Sequence, residues 1–281
     1  MITLAKFLAI SGIILPMLPH KNLIPDINLT PYSIWLATVV VSGISYLSYL
    51  LKRYVFHESG TLVSGIIGGL YSSTATISVL ARKSRKASEQ EATDYVAAML
   101  LAVSMMFLRF MILILIFSRE IFLSIYPYLL TMAVVAAIVA WFIHSRQKRP
   151  EDQPAEIEED DSSNPLEFKV ALIFAVLFVI FTFLTHYTLV YAGTGGLNLL
   201  SFVSGFSDIT PFILNLLQNT GSVAALIITA CSMQAIISNI MVNMFYALFF
   251  AGKGSKLRPW ILGGFGVVIA CNLVLLLFFY I

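Results

Sequence analysis

Seven apolar stretches of about 20 residues constrain the fold of this chain more than any other feature. An α-helix of that length extends roughly 30 Å, which matches the hydrocarbon core of a lipid bilayer. The mean hydropathy of +0.89 and the charged fraction of 11% lie far from the values of soluble proteins. We therefore predict an all-α membrane protein. The expected full spans are Ile2–Leu18, Ser33–Leu51, Tyr95–Phe117, Ile121–Ile143, Leu166–Val190, Val223–Phe250 and Leu257–Tyr280.

A charged segment divides the chain into two halves that resemble each other. Residues 145–165 are first basic and then acidic, as in a solvated linker. On either side, a span is followed by a broken hydrophobic segment, a long span and a final span, which is the pattern of a duplicated transporter fold. We divide the chain into an N-terminal transmembrane helix with its outer loop (1–32), a first repeat (33–144), a cytoplasmic linker (145–165) and a second, inverted repeat (166–281).

The two broken segments are Thr61–Ala81 and Gly196–Gln218, and small or polar residues interrupt both at corresponding places. Each arm spans about half of the hydrocarbon thickness, so a segment could cross the membrane or turn and leave by the same side. The turns are expected at Gly68, Gly69 and Gly205. The alignment of the two halves pairs Gly69 with Gly205, Ser72 with Asp208 and Thr74 with Thr210.

The distribution of Lys and Arg favours two re-entrant hairpins over two crossing segments. If both segments cross, the basic residues divide almost evenly between the two sides of the membrane. If both return, one side keeps only Lys21 and Arg119. Cytoplasmic loops carry the excess of basic residues, so we expect a multi-pass protein with its N-terminus and linker in the cytoplasm and its C-terminus outside. The cytoplasmic side then holds Lys6, Lys52, Arg53, Arg82, Lys83, Arg85, Lys86, Arg146, Lys148, Arg149, Lys169, Lys253, Lys256 and Arg258.

In this arrangement each repeat has three transmembrane helices and one hairpin, and the hairpin tips form the expected functional site. Irregular backbone at mid-depth persists only where it is buried in protein or lines a water-filled cavity. The tips enter from opposite faces and can meet near the midplane. A purely structural alternative is that the polar residues cap helices and the glycines allow close packing. The expected pathway residues are Tyr71, Ser72, Ser73, Thr74, Thr76, Arg109, Ser207, Asp208, Thr210, Asn239 and Asn243.

Arg109 and Asp208 are charged residues inside the hydrophobic body of the chain. Intramembrane charges are expensive and usually face a partner or a transport pathway. The structural alternative is an ion pair between the two, or Arg109 binding the carbonyls of a hairpin. Asn239 and Asn243 lie four residues apart on one helical face, where they either coordinate an ion or hold the hairpin. Asn272 is expected to join two helices.

No sequence feature points to an enzyme. The chain has no Walker-type phosphate loop, no His-Glu-x-x-His motif, no nucleophile elbow and no Cys/His metal spacing. Its two cysteines lie in apolar spans, where they act as small core residues. The basic loops are explained by topology and anionic lipid, so no nucleic-acid partner and no cofactor are expected.

Several longer motifs resemble the DUF4010 membrane-domain family, which is often fused to MgtC/SapB-type membrane domains and is uncharacterised. They are Ser42-Gly-Ile-Ser-Tyr-Leu-Ser-Tyr49, the run Gly65–Thr76 followed by Leu80-Ala-Arg-Lys83, Met106-Phe-Leu-Arg109, Asn164-Pro-Leu-Glu167, Ser204-Gly-Phe-Ser-Asp208 and Ser238-Asn239. The resemblance covers nearly the whole chain. It implies a prokaryotic membrane protein and leaves an MgtC-like membrane partner open.

The expected function is a transporter or channel for a small inorganic ion. A cation such as Mg²⁺ is favoured because Asp208, the expected metal ligand, lies on a tip among oxygen donors. An anion is the alternative, because Arg109 and inward-pointing helix N-termini favour negative charge. A non-transporting scaffold or regulatory subunit is a further alternative, and a homodimer remains open.

Overall fold

A computed structural model describes residues 11–25, 27–51, 54, 60–85, 87, 89–146, 168–218, 223–252 and 255–280 of the chain. A short helical stretch at 11–17 comes first. Eight longer helices follow within this part of the chain. They are α1 (Pro31–Leu50), α2 (Thr61–Lys83), α3 (Glu89–Phe117), α4 (Arg119–Ser145), α5 (Phe168–Ser204), α6 (Ile209–Gln218), α7 (Ala225–Ala251) and α8 (Arg258–Tyr280).

The described residues confirm the all-α class and the multi-pass character of the chain. Seven of the helices are long and apolar enough to cross a bilayer: α1, α2, α3, α4, α5, α7 and α8. By length and composition alone this set includes α2, which contains the first broken segment. Most of the expected first span, Ile2–Leu18, lies outside the described residues.

Local sequence signals explain where several helices begin and end. Thr30 and Ser33 form a reciprocal capping box at the start of α1, and Pro31 occupies the first turn, where its missing N–H is tolerated. Ser118 separates α3 from α4 and caps α4 by accepting a hydrogen bond from the amide of Ile121 at 3.3 Å. Gly252 ends α7 with a φ of 91°, a conformation that favours glycine.

The helices form one apolar bundle in which α3 and α7 contribute most to the core. Their buried side chains include Phe107, Leu113, Ile236 and Ile240, whereas large apolar side chains such as Tyr191 of α5 project outward. Outward apolar faces of this kind are suited to lipid. Asn272 of α8 joins two helices as expected, since its side-chain carbonyl accepts a hydrogen bond from the Tyr128 hydroxyl of α4.

Candidate functional site

The first broken segment is interrupted at Ser72 of α2. This residue has an extended backbone (φ −158°, ψ 109°) between two helical arms, 61–71 and 73–83. Its hydroxyl accepts a hydrogen bond from the amide of Ala75 at 3.3 Å, so Ser72 is the N-cap of the second arm. This cap matches the structural alternative in which polar residues of the broken segments cap helices.

The two arms of α2 contact each other close to the break. A Cβ atom added to Gly68 would lie 2.5 Å from the Thr76 hydroxyl and 3.2 Å from the Thr76 Cβ. Gly68 and Thr76 are four residues before and after Ser72. Glycine at 68 therefore leaves room for the Thr76 side chain, which faces the opposite arm.

The first arm of α2 also packs tightly on α3. A Cβ atom on Gly69 would lie 2.5 Å from the Cα of Ala102, and one on Gly65 would lie 2.8 Å from the carbonyl carbon of Ala98. These contacts join small residues spaced by four on both helices, and such residues let two helix backbones approach each other. The order of the contacts shows that residues 61–71 and α3 run in the same direction.

The second half of the chain is interrupted twice, once just before its broken segment and once inside it. Gly193 in α5 has a φ of 59° and a ψ of −151°, which breaks the helix before the arm 194–204. The chain then turns at 205–208, and Asp208 caps α6 by accepting a hydrogen bond from the Thr210 amide at 2.9 Å. Asp208 thus has the capping role that Ser72 has in the first half, at the position with which it was aligned.

Helix α7 holds the second tip by polar contacts. The Ser238 hydroxyl donates to the carbonyl of Phe202 at 2.7 Å, and the Asn239 amide donates to the carbonyl of Gly205 at 3.2 Å. Asn243 donates in turn to the Asn239 side-chain oxygen at 3.1 Å. These contacts are those of the hypothesis in which the amide pair holds the turn at 205–208, and ion coordination stays a prediction.

Residues of both chain breaks line one cavity of about 400 Å³. It contains most of the pathway residues expected from the sequence, and helices α1, α3, α5 and α7 supply the rest of the wall. From the expected set it is lined by Tyr71, Ser72, Ser73, Thr74, Arg109, Ser207, Asp208, Thr210 and Asn239, together with Gly69. The turn expected at Gly68 and Gly69 lies instead at Ser72, because both glycines belong to the helical arm 61–71. Four expected residues are outside the lining: Thr76, Asn243, Gly68 and Gly205. Gly68 packs against Thr76, Gly205 packs against Ser238, and Asn243 donates to Asn239.

Arg109 projects from α3 to the first tip. Its Nη1 donates a hydrogen bond to the carbonyl of Tyr71 at 2.7 Å, while its Nε is buried and has no hydrogen-bond partner. Asp208 attracts the guanidinium electrostatically. The ion pair found within 4.0 Å joins His144 to Asp94, and among the described residues Arg109 and Asp208 form no such direct pair. Of the structural alternatives, carbonyl binding is therefore observed.

Sequence reasoning missed several residues of the cavity wall. These are Ser42 and Ser45 on α1, Phe174 on α5 and Tyr246 on α7. Ser42 and Ser45 belong to a family motif in α1, but nothing in that motif indicates which helix face they occupy. In a bilayer, lipid-facing and protein-facing side chains are both apolar, so hydrophobic periodicity does not identify the face that lines a cavity.

A model of the family described as "Domain of unknown function (DUF4010)" matches residues 39–251, and the chain belongs to this family. This range contains every residue of the cavity lining. A protein of Aquifex aeolicus (strain VF5) described as "Uncharacterized protein" is 25% identical over 227 residues, which are 79% of this chain and 96% of that protein. No solved structure matches the chain.

Proposed function

We propose that this DUF4010 protein is a membrane transporter or channel that passes a small inorganic ion through a midplane site between two re-entrant hairpins. The observation that carries the proposal is the shared cavity, because residues of both chain breaks line it although they come from different halves of the chain. Polar, irregular backbone in the middle of an apolar bundle is typical of transporter substrate sites.

The path of the chain around Ser72 supports a hairpin in the first half. In a straight helix the Cα atoms of Gly68 and Thr76 would be about 12 Å apart, which is incompatible with their contact. If the second arm continued away from the first, Lys83 would also lie roughly 40 Å from Glu89 along the direction of α3. Residues 84–88 can bridge only about 20 Å. A second arm that returns along the first satisfies both distances, which supports the hairpin.

The same reasoning supports a hairpin in the second half. Asn198, Phe202 and Gly205 contact Cys231, Ser238 and Asn239 of α7 in that order, so the arm 194–204 and α7 run in the same direction. If α6 continued away from that arm, Gln218 would lie about 40 Å from Ala225. The segment 219–224 can bridge about 25 Å at most. A return of α6 to the starting side of the arm satisfies the distance.

Contacts at the two ends of α7 support entry of the hairpins from opposite faces. The second hairpin begins beside the N-terminal part of α7, where Asn198 contacts Cys231. The first hairpin ends beside the C-terminus of α7, where Arg85 donates to the carbonyls of Phe249 (3.2 Å) and Phe250. An α7 of 27 residues is about 40 Å long, so these ends belong to opposite membrane faces. The inverted repeat predicts this arrangement.

The position of the cavity supports access from the cytoplasmic side. Its walls include Phe174 near the beginning of α5 and Tyr246 near the end of α7, at helix ends that carry the basic loops. Toward the other face, the rings of Phe181 and Phe212 pack with centroids 5.6 Å apart, and both side chains are buried. A site open on one side and sealed on the other is what alternating access requires.

Cysteine accessibility tests the topology. In a background with Cys231→Ala and Cys271→Ala, we expect Gly60→Cys and Ala87→Cys to react with a membrane-impermeant maleimide only from the cytoplasmic side. The matching pair in the second hairpin is Gly195→Cys and Ala224→Cys, which should react only from outside. Positions 60, 195 and 224 are exposed. Labelling of 60 and 87 from different sides would contradict the first hairpin.

Ion flux through the purified chain in proteoliposomes tests the function. We expect flux of at least one inorganic ion above the level of protein-free vesicles, and loss of that flux with Arg109→Gln. The matched control is Arg119→Gln, which changes an exposed arginine away from the cavity. If no cation or anion crosses, the transport proposal is wrong and a non-transporting membrane scaffold becomes the better explanation of the fold.

A further inference from the structure

We propose that the ion is an oxyanion of the phosphate or sulfate type, bound by Arg109 together with the N-termini of the two returning arms. This inference rests on the proposed transport site and names the chemistry of its substrate. The sequence favours a cation because of Asp208. The structure favours an anion instead, because three positive groups lie around the same cavity and the Asp208 carboxylate caps helix α6.

Arg109 is the first positive group. Its side chain lines the cavity, and its Nη1 is used by the carbonyl of Tyr71. Its Nε is buried without a partner, which leaves an unsatisfied, charged donor at the site. A guanidinium presents its donors in a planar fork that matches two oxygens of an oxyanion. A buried charge of this kind is stabilised by a ligand that accepts from the remaining N–H groups.

The returning arms provide the other two positive groups. The arm 73–83 begins at Ser72 and α6 begins after Asp208, and the residues at both starts line the cavity. Each helix N-terminus is equivalent to roughly half a positive charge. The entering arms end at the same turns and contribute about half a negative charge each, so the dipoles and the two formal charges nearly cancel in sum. The preference for an anion therefore rests on the donors that remain at the site, the Nε of Arg109 and the backbone amides at the two N-termini.

Asp208 is poorly placed as the main ligand of a cation. One carboxylate oxygen accepts the amide of Thr210 at 2.9 Å, so the group already neutralises the N-terminus of α6. The described residues contain no group of three His, Cys, Asp or Glu side chains that could hold a metal ion. The remaining polar wall includes the hydroxyls of Ser42, Ser45 and Ser73, which can donate to oxyanion oxygens.

Binding to the purified, detergent-solubilised full chain is the first measurement. We expect sodium phosphate or sodium sulfate to raise the thermal midpoint above that in sodium chloride of equal ionic strength, and to give a measurable Kd by calorimetry. Arg109→Gln should raise that Kd about 10- to 100-fold, because it removes charge-assisted hydrogen bonds to the anion. Arg109→Lys keeps the charge but loses the planar set of donors, so its Kd should lie between those of the unchanged protein and the Gln variant. This variant replaces Arg109→Gln in the test if the Gln variant does not fold. Arg119→Gln should bind as the unchanged protein does.

Asp208→Asn separates an anion from a cation. Asn is a good N-cap, so the tip should persist while one negative charge disappears. We expect oxyanion binding that is equal or tighter in this variant. Binding of Mg²⁺ or Na⁺ that Asp208→Asn abolishes, with no response to phosphate or sulfate, would overturn the inference.

Proteoliposome flux of radiolabelled phosphate, sulfate, Na⁺ and Mg²⁺ separates this inference from the transport proposal. Oxyanion flux that depends on Arg109 supports both. Cation flux that depends on Asp208 supports transport and contradicts the oxyanion. Oxyanion binding without any flux supports the site and contradicts transport. Absence of both binding and flux contradicts both.

Discussion

A disulfide cross-link between the two arms of α2 is the most direct test of the first hairpin. The ideal Cβ position of residue 68 lies 3.2 Å from the Cβ of Thr76, close to the separation of about 3.5–4.5 Å that a disulfide needs. In an uninterrupted helix the same two residues would be about 12 Å apart along the axis and could not be linked. A hairpin therefore predicts that the disulfide forms, and a crossing helix predicts that it does not.

The variant Gly68→Cys/Thr76→Cys is made in the background without Cys231 and Cys271. It is oxidised in native membranes with copper phenanthroline, and free thiols are counted by the mobility shift with a maleimide polymer. We expect nearly complete loss of free thiols, recovery with reductant, and a cross-linked peptide by mass spectrometry. The control pair Ser42→Cys/Leu50→Cys has the same spacing in the continuous helix α1 and should stay reduced. If the pair 68/76 also stays reduced under conditions that oxidise other paired cysteines, the hairpin assignment is refuted.

Three further predictions concern stability, measured from the thermal unfolding of intrinsic tryptophan fluorescence in detergent. Gly69→Ala should lower the midpoint by roughly 2–8 °C, because its Cβ would lie 2.5 Å from the Ala102 Cα and such overpacking costs about 1–3 kcal/mol. In the control Gly43→Ala nothing lies within 4 Å of the added Cβ, so the thermal midpoint should stay unchanged or rise. If Gly43→Ala lowers the midpoint as much as Gly69→Ala does, the packing of α2 on α3 is contradicted. Asp208→Ala should lower the free energy of unfolding by about 1 kcal/mol, because the N-cap of α6 is missing. Asp208→Asn should keep most of that stability, because Asn is also a good N-cap. Tyr128→Phe should lower the free energy of unfolding by about 1–3 kcal/mol, because the buried Asn272 oxygen loses its donor. The double variant Tyr128→Phe/Asn272→Leu should recover most of that loss. If it does not, the pairing of the two side chains is contradicted.

The chain breaks could be predicted from sequence because backbone chemistry restricts the residues that occur there. A turn inside an apolar segment needs small residues and a side chain that caps the next arm, which is why the alignment identified Ser72 and Asp208. Gly193 lies between the expected span Leu166–Val190 and the broken segment Gly196–Gln218, where the sequence predicts a connection, although Ala192 to Gly196 contains three glycines and the sequence does not show which of them breaks the helix. The contacts of Arg109 could not be predicted either, because reach and direction of a long side chain depend on how α3 packs beside α2.

The two halves repeat a backbone plan but differ in the charges that they contribute. In each half a glycine lets the hairpin approach the following helix, and a polar side chain of that helix binds a carbonyl near the tip: Arg109 binds Tyr71, and Asn239 binds Gly205. The carbonyl ligand is cationic in the first half and neutral in the second. The cap is neutral in the first half, at Ser72, and anionic in the second, at Asp208. Arg109 and Asp208 therefore attract each other across the cavity, so the electrostatic balance of the site depends on residues from both halves of the chain.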